Sequence, residues 1–123
     1  MNEFQVAIGE STSAARYYGI PMNAGVEDAH AGIDVNEMSR LALERTTNAK
    51  DAILLMGQLA VDLGYYGADW GGGDGSLGEA GEALTVIDPE DSWVFHVLGD
   101  DTGKSAVWVA QRVPPGHVSV TPV

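Results

Sequence analysis

Trp93-Val94-Phe95-His96-Val97-Leu98 is the segment that most limits what this chain can become. Side chains of a strand alternate between two faces, so Trp93, Phe95 and Val97 share one side and Val94 and Leu98 the other. Both sides are mostly apolar. A strand of that kind belongs between two layers, because either face left in water would waste the gain from burial. His96 sits in this pattern and reads as a packed or interfacial histidine rather than a lone ligand.

The rest of the chain is read around that strand. Phe4, Val6 and Ile8 alternate with Gln5 and Ala7, which predicts a strand over 4–9. Gly9 to Gly32 reads as loop. Asp34 is placed to cap a helix, with Glu37 three residues on as in a capping box. Asn48 is placed to cap a second, in which Ile53, Met56, Leu59, Ala60 and Leu63 form one apolar stripe. Gly64 is expected to end it in a left-handed cap. The spacing therefore predicts an antiparallel helix pair over 34–63, followed by a glycine-rich loop over 64–81. Antiparallel strands are expected over 83–120, with turns at Asp88-Pro89-Glu90-Asp91 and at Gly99 to Lys104, and a last strand starting near His117. The fold class is α+β, a mostly antiparallel sheet with a helix pair. One side of that sheet lies under the helices, and the chain has little left to cover the other.

At 123 residues the chain holds one domain. Its net charge of −12 opposes non-specific binding to nucleic acid or anionic membrane. The longest apolar stretch, Ala52 to Leu63, falls short of the roughly 20 residues that a bilayer span needs. No segment reads as a targeting signal, and the compartment stays open. With no cysteine, the chain carries no disulfide, thiolate metal site or thiol nucleophile of its own.

Several motifs fall short of the chemistry they suggest. Gly103-Lys104-Ser105 lacks the glycine that a phosphate loop needs five residues earlier, where Leu98 stands, and a strand rather than a helix follows. It reads as a hairpin turn. Gly9-Glu10-Ser11-Thr12-Ser13 ends in Ser13 where a serine-nucleophile elbow needs glycine, and Asp74 spoils the same motif around Ser76. His30, His96 and His117 are too scattered for a metal set, and no metal or cofactor is expected. Asp69, Asp74, Ser76, Glu79 and Glu82 do not match calcium-loop spacing and read as a solvated acidic loop at a strand junction that can line a pocket.

The ordered series of words nonetheless resembles a known family. Asn2-Glu3-Phe4-Gln5-Val6-Ala7-Ile8-Gly9-Glu10-Ser11-Thr12 is similar to an early strand of the cysteine-nucleophile dipeptidases related to dipeptidase A and the secernins. Leu41 to Arg45, Ala52-Ile53 and Met56-Gly57 resemble its helix pair. Tyr65 to Trp70, Gly81 to Pro89, Ser92 to Val97 and Asp101 to Pro114 resemble its central sheet. The resemblance runs along nearly the whole chain. It implies a partial Ntn-hydrolase sandwich with helix, sheet, sheet and helix layers. It also implies hydrolysis of dipeptide amide bonds by a cysteine at the mature N-terminus, whose α-amino group serves as base. It assigns Asn2 as an oxyanion donor, Glu82 as a binder of the substrate's free amino group, and Asp69 and Trp70 as further substrate contacts.

The departures point to an internal piece of such an enzyme. The cysteine strand is absent, Ser13 stands where many relatives are expected to carry a second, non-catalytic cysteine, and the asparagine-bearing strand expected after Val120 is not reached. The chain alone is therefore expected to be inactive. A second reading is a non-catalytic acidic interaction module. Under either, self-association through the uncovered sheet is the expected partner behaviour.

Overall fold

The structure is a computed structural model, and it describes residues 1–13, 15–17, 19–67 and 81–121. It is an α+β fold. Four antiparallel strands, β1 (Ala7–Ser13), β2 (Gly81–Ile87), β3 (Ser92–Gly99) and β4 (Ala106–Arg112), form one open sheet in the order β1-β2-β3-β4. Two helices, α1 (Val35–Arg45) and α2 (Ala49–Leu63), lie between β1 and β2 in sequence and pack on one sheet face. No helix among the described residues is long and apolar enough to cross a membrane.

The helices start where their caps predict. Asp34 Oδ1 accepts from Glu37 N–H at 2.7 Å, and Asn48 Oδ1 accepts from Asp51 N–H at 2.8 Å. Met38 and Ala42 of α1 and Ala49, Ile53, Met56 and Ala60 of α2 are buried. They meet Leu84, Val86, Phe95 and Val97, the same-face residues of β2 and β3. Leu63, expected on the stripe, is exposed.

The α2–sheet contact is unusually close at Gly57. A Cβ there would sit 2.6 Å from the Trp108 indole Nε1 and 2.7 Å from its Cζ2, inside van der Waals distance. Trp108 in turn packs on Phe95, with ring centroids 5.6 Å apart. The helix and the sheet approach this closely because residue 57 has no side chain.

A second tie joins the start of α2 to the sheet. In the turn between β2 and β3, Asp88 N–H donates to Asp91 O at 3.0 Å, closing the hairpin. The Asp88 carboxylate then accepts from Glu90 and Asp91 N–H, and also from Ala49 N–H at 2.7 Å. Ala49 is the first residue of α2, so a negative charge meets the helix's free amides and its positive dipole end.

Three boundaries differ from expectation. The first strand runs over Ala7–Ser13 rather than 4–9, because Gln5 has a positive φ of 65° and residues 2–6 fold into a tight loop. Its polar second half is held by backbone pairing to β2. Gly64 ends α2 with φ 76° but ψ 135°, outside the left-handed helical well that was expected. That turn aims the Gly64 carbonyl at Gly32 and Ile33 N–H and packs the residue against Lys104 and Ala31. The stretch around His117 to Val120 is irregular instead of a strand, following Pro114-Pro115 and a Gly116 with φ 77°. The Gly103 segment is the hairpin turn between β3 and β4, as its sequence reads. The central part of the expected loop over 64–81, residues 68–80, lies outside the described residues.

Two measurements test this packing. Gly57→Ala gains up to about 1 kcal/mol of helix propensity but overpacks the indole at a cost of about 1–3 kcal/mol. The expected outcome is a lower urea midpoint with an unchanged slope, and a raised midpoint contradicts the contact. The Asp88 carboxyl is held below its ordinary value of 3.8, chiefly by the Ala49 amide and then by the Glu90 and Asp91 amides. A depressed folded-state value stabilises above the unfolded pKa and is lost as pH falls through the folded one. Asp88→Asn is therefore expected to cost about 1 kcal/mol at neutral pH and less below pH 4, read from urea melts across pH.

Candidate functional site

Asn2 sits in the tight loop before β1. Its Oδ1 accepts from Phe4 N–H at 3.1 Å and Val6 N–H at 3.0 Å. Its Nδ2 donates to Leu43 O at 2.9 Å and Thr46 O at 2.8 Å. One side chain thus shapes the loop and satisfies carbonyls at the C-terminal end of α1, which a helix leaves open. Both amide protons are engaged, so donation to an oxyanion requires one of these bonds to be exchanged.

Glu82 lies near the start of β2, opposite Thr12 on β1 and Val97 on β3. It shares the helix-side face with Leu84 and Val86 and is 1% exposed. Close to it is Tyr65, just past the end of α2 and bridged to Ile33. Tyr65 is fully buried, and its hydroxyl has no hydrogen-bond partner among the described residues. Its phenol is pushed well above the ordinary range, first by burial and then by the negative charges of Glu82, Asp34 and Glu10. The three carboxylates come from β2, the α1 cap and β1, and they make this end of the sheet strongly electronegative. Sequence reasoning found Glu82 but missed Tyr65. Tyr65 shows in the sequence only as the residue after the glycine that ends α2 and as the head of the run Tyr65 to Trp70.

The structure does not bring Asn2 and Glu82 together. Ala7 pairs with Ile87 and Thr12 with Glu82, so five residues separate the two ends, about 17 Å along a strand. Asn2 lies beyond the Ala7 end. Asp69 and Trp70 fall outside the described residues. Among the described residues, no group of three or more histidine, aspartate or glutamate side chains is arranged to hold a metal ion.

The other face of the sheet is open. Its β3 and β4 positions include Val94, His96, Leu98, Val107, Val109 and Gln111, and those of β1 and β2 include Ser11, Ala83, Thr85 and Ile87. None carries a fixed charge. Val107 and Val109 are 57% and 61% exposed. The segment after β4 borders a cavity of about 360 Å³ on this face, lined in part by Val94, His96, Gln111, His117 and Ser119. A neighbouring one of about 260 Å³ is bordered by Ser11, Ala83, Thr85 and Ser119. Amide hydrolysis needs a nucleophile, a base and oxyanion donors. The open face has room and neutral donors, and the chain has no cysteine to serve there as nucleophile.

Neither a curated protein nor a solved structure matches the chain. A family model described as peptidase family C69 matches residues 1–123. The chain is therefore a member of peptidase family C69, the cysteine peptidases of the dipeptidase A and secernin kind.

Proposed function

We propose that this chain supplies the helix-covered sheet of a dipeptidase whose cysteine nucleophile comes from sequence outside these residues. One observation carries the reading: a peptidase family model spans residues 1–123, yet the chain has no cysteine. In this reading the cysteine stands at the mature N-terminus and its α-amino group takes the thiol proton. The thiolate attacks the dipeptide carbonyl, the amine leaves carrying a proton, and water hydrolyses the thioester. The architecture is of the Ntn-hydrolase type, with a further layer on the open face. Glu82 neutralises the free amino group of the dipeptide, and Asp69 and Trp70 add contacts. A dipeptide held at Glu82 does not reach Asn2, beyond the far end of the paired strands. The oxyanion donor in this reading is therefore another group, and Asn2 holds the loop and the end of α1.

The exposed valines of the open face favour a second reading, an acidic module that binds a partner without catalysis. The coding DNA separates the two. A cysteine-bearing strand upstream and an asparagine-bearing strand downstream support the enzyme, and genuine start and stop signals support the module.

The purified chain is expected to release no amino acids above background from a panel of dipeptides, and turnover by this chain overturns the mechanism. In the cysteine-containing parent, Glu82→Gln removes a charge-assisted hydrogen bond to ammonium, an interaction of about 1.5–3 kcal/mol. The expected result is a KM for free dipeptides raised at least about tenfold, with little change for N-acetylated ones. An equal effect on both assigns Glu82 to structure instead.

A further inference from the structure

The sheet ends at β4, and no strand pairs with its outer side among the described residues. Val113 N–H donates to Ser92 O at 2.8 Å, and Ser105 O accepts from Asp100 N–H at 3.3 Å. Odd-numbered residues of this stretch therefore turn their backbone groups toward β3. Ala106, Trp108, Ala110 and Arg112 turn theirs outward, because the direction alternates along a strand. Natural edges are guarded by charge, proline or a bulge. From Ala106 to Gln111 this edge has no charge and no proline, and its register with β3 is unbroken. The opposite edge, β1, carries Glu10 at its midpoint.

We propose that β4 pairs antiparallel with β4 of a second copy, giving a two-fold dimer with one continuous sheet. Full overlap sets Val109 opposite its own counterpart and Arg112 opposite Ala106. The exposed valines then meet on the open face. Arg112, which pairs with Asp91 of its own chain, comes beside the second copy's turn, where Asp100, Asp101 and Lys104 sum to −1. The same overlap at β1 would set Glu10 opposite Glu10, and like charges directly opposed destabilise a strand pair. Between two chains of net charge −12, contact is cheapest along the edge strand that holds no carboxylate.

Sedimentation velocity on the purified chain tests this. The wild type is expected to sediment at twice the 12.9 kDa chain mass from low to high micromolar concentration. Ala110→Pro removes one outward N–H and spares the ladder to β3, so it is expected to be monomeric with an unchanged far-ultraviolet spectrum. Val109→Lys sets two ammonium groups opposite each other and is expected to be monomeric too. Val94→Lys, on the open face but away from the edge, is expected to remain dimeric. A monomeric wild type overturns the proposal, as does an open series of higher oligomers. A folded Ala110→Pro that stays dimeric, or a Val94→Lys that falls apart, also overturns it and points to stacking of the open faces. If Ala110→Pro fails to fold, the Val109 and Val94 variants decide.

Discussion

The contact of Gly57 with the Trp108 indole sets how closely helix and sheet approach, and the rest of the packing follows from that distance. With α2 seated on the sheet, Met56 and Ala60 reach the apolar row formed by Leu84, Val86, Phe95 and Val97. Aligned on the same side, α1 needs only small and flexible side chains, Ala42 and Met38, to close the layer. A helix layer on one face leaves the other to whatever lies opposite. The two-sided strand recognised in the sequence is therefore half covered, with Phe95 fully buried and Leu98 still partly exposed.

Polar side chains fix the helical hairpin at its ends. Asn2 holds the last turn of α1, Asp88 holds the first residue of α2, and Ser105 Oγ donates to Val61 O near the end of α2. Each tether satisfies a backbone group that the helix leaves open, so each works through orientation as much as through energy. Surface ion pairs such as Arg40 with Glu37 and Glu44 add little by comparison, since their partners are about half exposed. The hairpin cannot slide along the sheet without breaking these tethers.

Most of this was legible because the signals are local. Asp34 and Asn48 announce helix starts, the stripe from Ile53 to Ala60 gives the buried face, and alternation marks the sheet from Gly81 onward. At two of the misread positions a long-range partner overrides the local pattern. Phe4, Gln5 and Val6 alternate like a strand, but Asn2, anchored on the Leu43 and Thr46 carbonyls of the distant α1 end, takes the amides of Phe4 and Val6 and curls the loop. The polar run from Gly9 to Ser13 shows no apolar alternation, yet it is a strand because β2 supplies its backbone partners. For the candidate site, the residue types were visible but their grouping was not. Glu10, Asp34, Tyr65 and Glu82 are far apart in sequence, and only the fold places three carboxylates around one buried phenol.

The two faces of the sheet differ in charge, and the difference bears on the peptidase reading. Carboxylates gather at the Glu82 end on the helix side, while the described strand side chains that face the open side carry none, with Glu10 only bordering the smaller cavity there. A thiolate and a tetrahedral oxyanion are both negative, and nearby carboxylates would raise the energy of each. A neutral sheet face is a suitable floor for such chemistry. An ammonium group is best held where negative charge is concentrated and water is scarce, as it is beside Glu82. Under the proposed function, the absence of cysteine means a division of labour in which these residues provide electrostatic surroundings and the reactive sulfur comes from sequence outside them.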